Sequence, residues 1–207
     1  MQVSWDSLHA EIEACSRCSL CRGIRRKVPG QGNGQSPLML IGEGPGAEED
    51  AQGLAFVGAA GQLLTRMIAA IGLSREQVYI CNVVKCRPPG NRTPLPEEAE
   101  ACLPFLRAQF CLVRPRVIVL LGATAARAVL GEQCRITRDR GIWTEKKGVL
   151  FMPTYHPAAL LRDESKKRDA WHDFQAVRDK LKEIGAFQAD QDGERKGENA
   201  GTASSIP

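Results

Sequence analysis

Short apolar runs alternate with stretches of helical spacing along most of this chain. Residues 37–43 (PLMLIGE), 78–84 (VYICNVV), 116–122 (RVIVLLG) and 149–154 are continuously apolar and bounded by Gly, Pro or polar residues, as buried parallel strands are. Between them, residues 60–71 place Leu63, Leu64, Met67, Ile68 and Ile71 on one helical face and stop at Gly72. Residues 94–112 open with prolines and the acids Glu97 and Glu98 and end before Pro115, which predicts a long helix. Residues 123–130, stopped by Gly131, and residues 169–184 predict two more. Strand and helix in alternation imply an α/β sandwich with a mostly parallel sheet, without internal repeats. In such folds ligands bind at the carboxyl ends of the strands.

The 207 residues, 43% hydrophobic and 25% charged, fit one globular domain with its own core. The longest strongly apolar stretch, residues 117–126, is only half of the ~20 residues a membrane helix requires. Asp6, Glu11 and Glu13 near the start, with no apolar segment among them, lead us to expect no signal peptide and a cytoplasmic location. The domain is expected to span residues 1–185. Residues 186–207 carry four acids against two bases and only Phe187 and Ile206 as large hydrophobes, the composition of a disordered tail. The remainder is therefore more basic than the net charge of +4, which permits nucleic-acid binding and equally suits any basic soluble protein.

Polar chemistry gathers after the strands. The first is followed by Gly42-Glu43-Gly44-Pro45-Gly46-Ala47-Glu48-Glu49-Asp50, the second leads through Asn82, and the fourth runs into Tyr155-His156-Pro157. The Gly-rich turn has neither the dinucleotide nor the phosphate-loop spacing, and its acids would repel a phosphate. His156 alone reads equally well as a surface imidazole beside a turn. Eight cysteines in a chain of this size are unusual. Cys15-x2-Cys18 and Cys86-x15-Cys102 form two distant pairs, the donor set of a structural zinc or an iron-sulfur cluster. Cys81, Cys111 and Cys134 read as packing or surface thiols, and Cys21 could join the first pair.

Three blocks together carry a specific resemblance: GEGPGAEEDAQGLAFVGAAGQLL, YICNVVKCRPPGNRTPLPEEAEAC and PTYHPAALLR. The chain resembles family 4 uracil-DNA glycosylases, the iron-sulfur type of bacteria and archaea, from about Cys15 to Gly185. The resemblance implies a three-layer α/β/α sandwich and a monomer that hydrolyses uracil from single- or double-stranded DNA, leaving an abasic site. It implies a [4Fe-4S] cluster on Cys15, Cys18, Cys86 and Cys102, with Cys21 beyond the required four. Asn82 is expected to read the uracil edge, Phe56 to stack on the base, Glu49 to stand near C5 and exclude thymine, and Gly44 to offer a main-chain amide. His156 is expected to hold uracil O2, and Glu43 to position the attacking water, with Glu48 and Asp50 as competitors.

Leu160, Leu161 and Arg162 correspond to the loop that wedges into the duplex. Lys85, Arg87, Arg92, Lys166, Lys167 and Arg168 are expected to meet phosphates, so binding should weaken steeply with salt. By stapling the N-terminal segment, a cluster would also position Arg22, Arg25, Arg26 and Lys27. Two alternatives remain: the relative that becomes covalently trapped on uracil-DNA, whose inserted histidine loop is missing between Cys86 and Arg92, and a non-catalytic DNA-binding or redox module built on the cysteines.

Overall fold

The computed structural model describes residues 4–187. In chain order the elements are α1 (Trp5–Ala14), β1 (Gln31–Gly32), β2 (Leu38–Gly42), α2 (Ala47–Gln52), α3 (Ala59–Ala70), β3 (Tyr79–Asn82), α4 (Pro96–Val113) and β4 (Val117–Leu121). They continue with α5 (Ala123–Leu130), α6 (Ile136–Asp139), β5 (Thr144–Lys146), β6 (Val149–Thr154), α7 (Pro157–Arg162) and α8 (Lys167–Glu183). One six-stranded sheet has the order β1-β3-β2-β4-β6-β5. The four apolar runs form its parallel centre, in which Gly42 pairs with Asn82 and Leu121 with Thr154. The two edge strands are antiparallel.

Every residue of β2 and β4 is buried, because the pleat sends alternate side chains into two separate cores. Leu38, Leu40, Ile80, Val119 and Met152 pack with Leu64 and Ile68 of α3 and Phe174 and Val177 of α8. Met39, Ile41, Cys81, Ile118 and Phe151 face the other way, toward Leu8 and Ile12 of α1, Phe105 and Leu106 of α4, and α5. The result is the expected three-layer α/β/α sandwich. Each fully buried leucine or isoleucine contributes about 1.5–3 kcal/mol of transfer free energy, so the central strands anchor the domain.

Local chemistry sets the element ends. Ser4 and Ser7 cap α1 reciprocally, at 3.1 Å and 3.0 Å. Glu98 Oε2 takes the Leu95 N–H at 2.8 Å at the start of α4, and Gly53, with φ 76°, closes α2 in a left-handed turn. The sequence pattern did not indicate β1, β5, α2 or α6, which are two to six residues long and polar. Pairing along a preformed sheet edge, not periodicity, makes such strands.

No helix among the described residues is long and apolar enough to cross a membrane. The tail expected from residue 186 lies outside the described residues from 188 onward. Ala186 N–H still bonds Leu181 O at 2.8 Å, and Phe187 packs against the α3/α8 core.

Candidate active site

The carboxyl ends of β2, β3, β4 and β6 open into a cleft of about 630 Å³, lined by Glu43, Gly44, Glu49, Phe56, Asn82, His156 and Arg162. Seven of the residues singled out from sequence thus share one place. At its floor lies Gly42. A Cβ there would sit 2.4 Å from Phe56 Cζ and 2.5 Å from Asn82 Oδ1, so the missing side chain lets ring and amide close over the backbone. Asn82 is 1% exposed, and its Oδ1 is the single buried side-chain N or O atom without a hydrogen-bond partner among the described residues. Leaving such an acceptor unpaired costs about 1–3 kcal/mol, a cost that a ligand N–H would remove.

Phe56 adopts φ 53°, a left-handed conformation unfavourable for a bulky residue. Its neighbours hold it there. Ala55 O accepts from Gln31 Nε2 and from the Arg75 guanidinium, both at 2.8 Å. On the other side Glu49 Oε1 accepts from Val57 N–H at 2.8 Å and Gly58 N–H at 2.9 Å, while Oε2 takes Gly46 N–H at 3.0 Å. Glu49 is therefore the bracket that joins the start of α2 to the Phe56 turn. Gly61 completes it, because any Cβ there would collide with Phe56 O at 1.9 Å.

His156 caps α7, with Nδ1 accepting the Ala158 N–H at 3.2 Å. Burial, reinforced by the Arg162 charge and opposed by Glu49, lowers its pKa from 6.5 to about 4. The ring is neutral at pH 7, and with Nδ1 used as acceptor the proton resides on Nε2. Its centroid lies 5.6 Å from that of Phe56. The strand that delivers it is pinned by Thr154 Oγ1, which donates to Asp173 at 2.5 Å, and Asp173 is paired to Arg140 at 2.6 Å. Glu43 receives a short hydrogen bond from Thr124 Oγ1. Of its competitors, Asp50 is buried and engaged by the Arg25 and Arg26 amides at 2.9 Å and 3.4 Å, and Glu48 is exposed at the rim.

Two expectations about DNA contacts need correction. Lys85 is 1% exposed, and its Nζ donates to Asn82 O and Gln109 Oε1, so it cannot reach a phosphate. Leu160 is 1% exposed and packs inward because α7 turns that face toward α3, which leaves Leu161, 44% exposed, as the apolar tip. Arg87, Arg162, Lys167 and Arg168 are at the surface. Arg92, at the cleft, is held by Glu98 through two bonds of 2.7 Å and 2.8 Å, and Glu98 also accepts from Ser19 Oγ at 3.1 Å. The guanidinium holds the Glu98 carboxyl down at about 2. The roles of Thr124 and Asp173 escaped the sequence reading because they depend on partners 81 and 19 residues away; Glu98 was legible as a helix-opening acid, but not as the residue that ties Arg92 to Ser19.

A second cavity is lined by Cys15, Cys18, Cys21, Cys86 and Cys102 together with Lys27 and Lys85. Burial, then the neighbouring Cys102 and Cys18, pushes the Cys86 thiol up to about 12. Burial also raises Cys18, with Cys15, Glu98 and Cys21 adding to it. Thiols from residues 15–21, from the segment after β3 and from α4 thus line one cavity. Among the described residues no three His, Cys, Asp or Glu side chains form a group suited to a single metal ion. Cys81 is buried in the sheet, Cys134 is buried elsewhere and Cys111 is exposed.

Taken together, the cleft offers a flat apolar face, a buried acceptor and a neutral imidazole donor to a planar heterocycle bearing N–H and C=O, with a carboxylate alongside. The family model for the Uracil DNA glycosylase superfamily matches residues 29–176. The chain is 45% identical over 180 residues to a Type-4 uracil-DNA glycosylase of Thermotoga maritima, covering 84% of this chain and 93% of that protein. It is 42% identical over 185 residues to a Type-4 uracil-DNA glycosylase of Sulfurisphaera tokodaii, covering 85% and 84%. A Type-5 uracil-DNA glycosylase of Pyrobaculum aerophilum is 35% identical over 152 residues, covering 65% and 67%. By the family match across its central sheet and by these extended identities, the chain belongs to the uracil DNA glycosylase superfamily.

Proposed function

We propose that this chain is a monofunctional DNA N-glycosylase that removes uracil from DNA, acting as a monomer. The observation that carries the reading is the orphaned Oδ1 of Asn82, buried beside the Phe56 ring. A uracil flipped from the stack, at a cost of a few kcal/mol, would lie on Phe56, give its N3–H to Oδ1 and receive the amide N–H at O4. Cytosine presents the reverse pattern and would leave buried polar groups unpaired. Glu49, at the cleft wall, would crowd the C5 methyl of thymine, and Gly44 would offer its main chain.

In the reaction the C1′–N1 bond breaks and its electron pair goes to the departing uracil. The neutral Nε2–H of His156 stabilises the charge that grows on O2, and one donor of this kind is worth about 10²–10³ in rate. Glu43, steadied by Thr124, orients a water whose oxygen bonds to C1′ and whose proton passes to the carboxylate. Its charge also opposes the positive sugar. No lysine lines the cleft among the described residues, so no amine is at hand for a lyase step.

The cysteine cavity fits a [4Fe-4S] cluster held by Cys15, Cys18, Cys86 and Cys102: a cluster spreads its ligands over several irons, and Lys27 and Lys85 offset thiolate charge. Bound there, it would serve as a staple joining the N-terminal segment to α4. The exposed Leu161 and Arg162 would enter the duplex from the cleft rim, and Arg87 and Arg168 would meet phosphates.

Incubation with a uracil-containing oligonucleotide followed by alkali tests the reaction. Strand breaks at uracil are expected, whereas an intact strand or a denaturant-stable adduct overturns the reading. Anaerobically purified protein should be brown and contain iron; stoichiometric zinc without iron overturns the cluster.

A further inference from the structure

Lys85 is among the most buried side chains of the protein, yet among the described residues no ion pair links it to a carboxylate. Its Nζ donates to the main-chain carbonyl of Asn82 at 2.6 Å and to Gln109 Oε1 at 2.7 Å. Gln109, fully buried, is itself fixed by donating to Pro29 O at 2.6 Å and to the Tyr79 hydroxyl at 3.0 Å. The main chain of Lys85 reaches the other way, with its N–H on the Cys102 sulfur at 3.4 Å. Lys85 is also among the residues that line the cavity shared by the five cysteines. One residue thus touches both the amide-bearing end of β3 and the cysteine cage.

Removing a cation from water costs several kcal/mol unless charge or hydrogen bonds compensate. Two carbonyl oxygens supply hydrogen bonds but no net charge. A cluster held by the cage cysteines as thiolates would supply the missing negative charge.

We propose that Lys85 is a positioning residue that ties the base-reading amide to the cysteine cage: its ammonium holds the Asn82 carbonyl, and the cage balances its charge. The proposal rests on the glycosylase reading with a cysteine-bound cluster. Because Asn82 Oδ1 lies at the distance set by Gly42, a small rotation of the Asn82 peptide would misalign it with a bound base. The uracil pocket would then depend on an intact cage although no cysteine touches it.

The test compares wild-type holoprotein with Lys85→Met, which keeps an unbranched stem as far as Cε but removes the charge and both bonds, and with Lys85→Arg, which keeps the charge. Equilibrium affinity for free uracil, uracil-over-cytosine discrimination and iron retained under a chelator are read out together. Lys85→Met should bind uracil about tenfold or more weakly, discriminate less, and lose iron faster, while Lys85→Arg recovers part of each. A folded Lys85→Met with unchanged uracil affinity and discrimination, or with unchanged iron retention, overturns the proposal. So does a loss confined to the fraction of active protein. Should Lys85→Met fail to fold, Gln109→Leu removes one anchor and must still weaken uracil binding; unchanged affinity overturns the proposal. A wild type that leaves uracil in DNA or carries no iron defeats the underlying reading instead, so the two failures are separable.

Discussion

The neutral state of His156 gives a sharp expectation for pH. The lowering of its pKa from 6.5 to about 4 amounts to roughly 3 kcal/mol against the imidazolium in the folded protein. Protonation would turn Nδ1 from acceptor to donor facing the Ala158 N–H, breaking the cap of α7. The rate constant kcat/KM should therefore stay flat from pH 8 to about 5 and fall only near pH 4. Stability follows the same linkage. Above pH 6.5 both folded and unfolded chains hold a neutral imidazole; between 6.5 and 4 the unfolded chain takes up the proton first, so folding weakens as pH falls and levels off below 4. The other two histidines, His9 and His172, are exposed, so the difference between wild type and His156→Gln isolates the effect. Denaturant titrations at pH 7, 5.5 and 4.5 would measure the slope, and ¹⁵N shifts of the ring would report the tautomer. A rate that drops through an inflection near 6.5, or a proton found on Nδ1 at pH 7, refutes the reasoning.

Other outcomes follow from the same geometry. Asn82→Asp should lose uracil excision by about 10–100-fold where the carboxylate is ionised and only accepts, and gain cytosine excision as pH falls, because burial favours protonation and the acid then donates to cytosine N3 and accepts from its N4–H; unchanged base preference removes Asn82 as the reader. Gly42→Ala places a methyl against Phe56 and Asn82, and should abolish free-uracil binding in a folded protein, measurable by calorimetry and circular dichroism. Leu160→Ala should cost about 2–5 kcal/mol of stability in urea melts, whereas Leu161→Ala should leave stability within about 0.5 kcal/mol and weaken excision from duplex more than from single-stranded DNA. The reverse order would show that Leu160 is the wedge after all.

How far the chain could be read beforehand depended on the range of the interactions. Buried parallel strands and amphipathic helices advertise themselves by local periodicity, so β2, β3, β4, β6, α3, α4, α5 and α8 were legible to within a few residues. The three strand-end motifs were legible too, since a parallel sheet brings such ends together. Hydrogen bonds between distant residues leave no such trace: Thr124 on Glu43 and Asp173 under Thr154 came only with the folded chain. Glu49 illustrates the difference, because its acidic neighbours draw attention to it while its engagement of three main-chain amides is invisible until the Phe56 turn closes.

The sequence by itself determined the class of fold, the four strands at its centre, the place of the cleft, and the two cysteine pairs that meet. Tertiary structure alone decided direction and burial. It turned Lys85 inward to Asn82 and Gln109, buried Leu160 while exposing Leu161, and made His156 neutral. The physical reason is the same in each case. Residue type sets what a side chain can do, but the packing around it decides whether water, a phosphate or a buried carbonyl is the partner it finds.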